Sequence, residues 1–62
     1  SFRIQKIKEL LVYTNESLAD MSFRLGFSSV AHLSRQFKLK TGLTPSYFRQ
    51  MRTLRDAATV HA

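Results

Sequence analysis

An all-α fold, a small helical domain built around a helix-turn-helix, is what this amino-acid sequence predicts, and three observations carry the prediction. Apolar residues recur at three- and four-residue spacing in four separate segments, and nowhere do they alternate as a half-buried strand requires. The 2 glycines, Gly26 and Gly42, fall between those segments, and the 1 proline, Pro45, stands at the first helical position of the last one. At 62 residues the chain holds one domain at most. A domain of that size buries only about 60% of the surface its unfolded form exposes, so its core is thin.

The first helix covers residues 2–13. At about 100° per residue Ile4, Ile7 and Leu11 form one stripe, flanked by Leu10 and opposed by Lys6 and Glu9, a solvated pair. In "TNES" Ser17, followed three residues later by Asp20, resembles a capping box with Asp in the Glu position, so a second helix starts there. Leu18, Met21, Ser22 and Leu25 share a face of that helix, with Asp20 and Arg24 turned outward. Gly26 stands where a helix C-cap needs a left-handed residue, and Phe27 is the apolar residue that folds back onto the helix just ended. Ser28 or Ser29 then caps a third helix whose inward residues are Leu33 and Phe37, with Val30 partly covered. Lys38 and Lys40 complement the dipole at its C-terminal end, and Gly42 stops it. In "LTPS" Thr44 is the N-cap and Pro45 the first helical residue of a fourth segment, residues 44–58. Its apolar stripe is Tyr47, Met51, Leu54 and Ala58, widened by Phe48, and the tail "ATVHA" is expected to fray.

Two short helices joined by a tight glycine turn, the second amphipathic and basic, describe a helix-turn-helix, although a plain bundle corner would share that outline. The outward face of the third helix favours the first description. With Leu33 and Phe37 inward, Ala31, Arg35 and Lys38 lie opposite, with Ser34 and His32 at the margins, and none is acidic. Arg reaches guanine O6 and N7, a hydroxyl pairs with base edges or phosphate, and a methyl group contacts thymine. A merely solvated face would intersperse acidic residues.

Charge agrees. Between Met21 and Arg55 stand Arg24, Arg35, Lys38, Lys40, Arg49, Arg52 and Arg55 with no acidic residue, whereas the rest of the chain is close to balanced. A polyanionic partner fits that asymmetry better than a simply solubilising surface does. With 0 cysteines there is no disulfide, thiol nucleophile or thiolate metal site, and His32 and His61 lie far apart. No nucleophile, base and oxyanion constellation and no glycine-rich phosphate loop can be assembled, so neither catalysis, cofactor nor metal is expected. No apolar run approaches the ~20 residues of a membrane span, and the N-terminus lacks a signal-peptide pattern. The expectation is a cytoplasmic, nucleoid-associated fragment of a longer protein, since the chain opens inside a helical pattern.

The residues also resemble a known family. Gly26-Phe27, Ser28-Ser29, Leu33-Ser34-Arg35, Phe37-Lys38, Gly42, Thr44-Pro45-Ser46 and Phe48-Arg49 are similar, in order and spacing, to the C-terminal DNA-binding region of AraC/XylS-type bacterial transcriptional regulators. The match spans roughly residues 3–50. In that family two helix-turn-helix units flank a long joining helix. The resemblance therefore implies that residues 2–13 are the joining helix and 17–40 the second unit, with 44–58 the C-terminal helix of this homeodomain-like half domain. It places Val30, Ala31, His32, Ser34 and Arg35 where relatives contact bases or nearby backbone. Ser22 replaces the family's usual Ala, with a hydroxyl that bonds back to a carbonyl of its own helix. Val30 and Ala31 are poor hydrogen-bonders, so direct readout is expected to be sparse.

Affinity is then expected from phosphate contacts by Lys38, Lys40, Arg49 and the backbone N–H groups near Ser28 and Ser46. Arg49 suits a pairing with a helix end equally well, and Arg52 is expected to pair with Asp56. Duplex DNA is the expected partner, together with the upstream helix-turn-helix and sensor domain of a parent protein that could form a homodimer. The competing expectation is a basic module binding an acidic protein or an anionic membrane surface, and the narrow apolar side of the third helix argues against the membrane. A third is an interaction fragment that self-associates through Phe2 and Tyr13, which point away from the first stripe.

Overall fold

A computed structural model of the chain describes residues 2–52, and it is helical throughout its regular structure. The helices are α1 (Phe2–Tyr13), α2 (Leu18–Leu25) and α3 (Val30–Thr41), followed by helical residues 45–52, here α4. Leu54, Asp56, Ala58 and the "ATVHA" tail lie outside the described residues.

The first three helices pack pairwise around one core made of Ile4, Ile7 and Leu11 from α1, Met21 from α2, Phe27 from the turn, and Leu33 and Phe37 from α3. Leu10, Leu18, Leu25 and Phe48 close its edges. The stripes at helical spacing are thus the buried ones in α1, α2 and α3. Ser22, also buried, donates its hydroxyl to the Leu18 carbonyl at 2.8 Å. That bond makes a polar residue tolerable at a close helix contact.

The starts of α2, α3 and α4 each have a hydroxyl cap. Ser17 accepts from the Asp20 N–H at 3.1 Å, Ser29 from His32 N–H at 3.0 Å, and Thr44 from Tyr47 N–H at 3.1 Å. Gly26 ends α2 at φ 82°, where its N–H bonds the Phe23 carbonyl and the next N–H, that of Phe27, bonds the Ser22 carbonyl at 2.9 Å. These two bonds are the paired closure of a Schellman motif, and they turn Phe27 back into the core. At Gly42 one such bond, to the Lys38 carbonyl at 2.8 Å, ends α3 in the same left-handed conformation.

In α4 the buried face differs from the expected stripe. Pro45 is fully buried, Phe48 packs edge-on against Phe37 with ring centroids 5.5 Å apart, and Arg52 continues that side, whereas Tyr47 and Met51 are exposed. The inward line is therefore Pro45, Phe48 and Arg52, rotated by about one residue from Tyr47 and Met51. What fixes it is the C-terminal end of α1, whose last turn carries no basic residue of its own. Arg52 Nη1 donates to the carbonyls of Leu11, Val12 and Thr14 at 3.0, 3.2 and 3.1 Å. Arg49 Nη2 donates to those of Thr14 and Glu16 at 3.3 and 2.8 Å. Two carbonyls of the last turn of α1 and those of Thr14 and Glu16 just beyond it are thus satisfied by two guanidinium groups from another helix.

Candidate nucleic-acid interface

The turn between α2 and α3 is held from several sides. Its Ser28 N–H donates to His32 Nδ1 at 3.3 Å, and the Ser28 hydroxyl lies 3.1 Å from the same nitrogen. A backbone N–H only donates, so Nδ1 accepts and a neutral ring carries its proton on Nε2. The imidazole stands edge-on to the Phe27 ring at 5.2 Å, and the Arg3 guanidinium lies over that same ring at 5.3 Å. A peptide turn, an aromatic anchor and a cation from α1 thus fix how α3 leaves the domain.

Leu33 and Phe37 hold α3 against the core, and the opposite side is open. Ala31, Arg35, Lys38 and Lys40 are exposed, Ser34 is half-buried, and Val30 is 37% exposed at the first position of the helix. Between them lies Leu39, 72% exposed, which completes an outer row of Ala31, Arg35 and Leu39 at four-residue spacing. Periodicity passes over Leu39 because it expects a leucine in the core, although its offset from Phe37 already turns it outward. The ion pairs among the described residues are Lys6 with Glu9 at 3.7 Å and Arg24 with Glu16 at 3.1 Å. Neither involves Arg35, Lys38 or Lys40, so among the described residues the positive charge on the outer side of α3 has no carboxylate paired to it.

The remaining expected site residues fall in two groups. Ser46 is exposed in the first turn of α4. His32, Ser28 and Arg49 are committed elsewhere. The N–H of Ser28, expected to meet a phosphate, is spent on His32, and His32 is half-buried against the turn. Of the two roles weighed for Arg49, the structure places its guanidinium on the chain just past the end of α1, where it donates to the Thr14 and Glu16 carbonyls. Arg52 bonds the carbonyls of Leu11, Val12 and Thr14, and its expected partner Asp56 lies outside the described residues. The signal was present in the sequence, since a helix ending in "LLVY" without Lys, Arg or His needs donors from elsewhere.

Among the described residues no helix is long and apolar enough to cross a membrane, and no cluster of three or more metal-ligating side chains occurs.

The family model described as "Helix-turn-helix domain" matches residues 1–51. The bifunctional transcriptional activator/DNA repair enzyme AdaA of Bacillus subtilis (strain 168) is 33% identical over 54 residues, covering 87% of this chain and 26% of that protein. An uncharacterised HTH-type transcriptional regulator of Staphylococcus aureus (strain COL) is 43% identical over 47 residues, covering 76% of this chain and 6% of that protein. The chain therefore spans about a quarter, or far less, of these relatives. No solved structure matches it.

Proposed function

We propose, because this chain belongs to the AraC-type helix-turn-helix domain family, that it is the second DNA-reading unit of a longer bacterial transcriptional regulator. DNA binding in transcription regulation follows from that membership. The finer assignment is that α3 enters the major groove while α2 braces it across the backbone. Val30, Ala31, Ser34 and Arg35 meet base edges, and Lys38, Lys40 and Ser46 meet phosphates. His32 and Ser28 position the turn, and Arg49 with Arg52 anchors α4. The role is binding, not catalysis; the repair activity in AdaA's name is that protein's own. An upstream helix-turn-helix, a sensor domain, homodimer formation and a place on the nucleoid in the cytoplasm complete the proposal for the parent protein.

One observation carries this reading: the core-opposed face of α3 presents exposed Ala31, Arg35, Lys38 and Lys40 with no carboxylate paired to them among the described residues, standing beyond a turn locked on both sides. A duplex-DNA shift assay run beside flotation with anionic vesicles tests it. Binding to DNA is expected, in the range of about 10⁻⁴ to 10⁻⁶ M at physiological salt for a single unit. Binding to vesicles with none to DNA would reverse the assignment.

A further inference from the structure

The first turn of α3 meets the groove, if the reading above holds, with an unusual set of groups. Two of its polar groups are used inside the turn: Ser29 accepts from the His32 N–H at 3.0 Å, and His32 Nδ1 is engaged by the N–H and hydroxyl of Ser28 at 3.3 and 3.1 Å, which leaves the ring its Nε2–H. The first two residues of the helix itself, Val30 and Ala31, are both exposed and both aliphatic. Donors and acceptors on base edges are not read by such groups. The major groove offers one feature that they do read, the C5-methyl group of thymine.

We infer that Val30 and Ala31 recognise thymine methyl groups, and that the preferred duplex carries thymine at the pair reached by the first turn of α3 and guanine at the pair reached by Arg35. This rests on α3 being the groove helix. The spacing follows from the backbone. Arg35 is four residues beyond Ala31, about 6 Å along the axis, against about 3.4 Å per base-pair step. The two pairs are therefore about two steps apart. Alanine and valine give up little rotamer freedom on contact, so a small apolar surface suffices to discriminate. Recognition of this kind also depends little on salt, unlike the phosphate contacts of Lys38 and Lys40.

Duplexes selected from a randomised pool by the 62-residue chain supply the probe. Enrichment of thymine about two steps from a guanine is expected. Replacing that thymine by deoxyuridine, which removes only the methyl group, should weaken binding about fourfold, the ratio that withdrawing one methyl-sized group from contact gives. In Val30→Ser or Ala31→Ser the two duplexes should bind more nearly alike. Equal affinity for the thymine and deoxyuridine duplexes, or selected sequences without thymine at that distance, would overturn the inference and leave DNA binding intact. Failure to bind any duplex would remove the DNA-binding reading and the inference with it.

Discussion

Replacing Arg52 by alanine should destabilise the fold far more than any change on the outer side of α3. Its Nη1 faces three carbonyls at 3.0 to 3.2 Å, those of Leu11 and Val12 in the last turn of α1 and of Thr14 just past it. That nitrogen carries two hydrogens, so the three contacts amount to about two full bonds, one of them shared. Bonds to a charged donor contribute about 1.5–3 kcal/mol each when sheltered. The site is only partly buried, and screening brings the pair down to about 2–3 kcal/mol. A chain of 62 residues has roughly 3–9 kcal/mol of stability in all. Arg52→Ala should therefore lower the urea midpoint followed by far-ultraviolet circular dichroism by a large fraction of its value. Arg35→Ala, which removes an exposed side chain with no partner among the described residues, should stay within about 0.5 kcal/mol of the parent. Arg52→Lys keeps the charge but offers a point donor without the planar fork, and should fall between the two. If Arg52→Ala and Arg35→Ala unfold at the same urea concentration, the clamp contributes nothing and the orientation of α4 has another cause.

Gly26→Ala should cost about 1–2 kcal/mol through the left-handed backbone alone, because a Cβ there would meet no atom within 4 Å; a melting temperature unchanged from the parent would contradict that account. Ser29→Ala removes the α3 cap and should cost about 1 kcal/mol, seen as a lowered urea midpoint and weaker DNA binding in proportion. Arg35→Ala should alter sequence preference by about 1–3 kcal/mol at one base pair, whereas Lys38→Ala should weaken all duplexes alike and reduce the salt slope by about 1. Equal losses for Arg35→Ala across every duplex in a competition titration would remove it from base reading.

Much of the candidate interface was legible before any coordinates. Ser17, Ser29 and Thr44 announce helix starts because a hydroxyl satisfies an amide that the helix itself leaves open, a demand local to three residues. Gly26 and Gly42 announce helix ends for an equally local reason, since the left-handed backbone they adopt is costly for side chains bearing a Cβ. The outward set Ala31, Arg35 and Lys38 follows from the same count that turns Leu33 and Phe37 inward. Less legible were the fates of His32 and Ser28, whose pairing depends on the rotamer of one ring.

Taken alone, the sequence determined the helices, their caps, the two sharp turns and the cationic character of the face beyond the second turn, because each depends on neighbours within about one helical turn. Only the tertiary structure decided which side of α4 is buried and that Arg49 and Arg52 serve the end of α1 and the chain just past it. Those choices join atoms 33 to 41 residues apart in the chain. At such distances an arginine is drawn to whichever acceptors lack partners, and a lack of that kind exists only once the helices have been brought together.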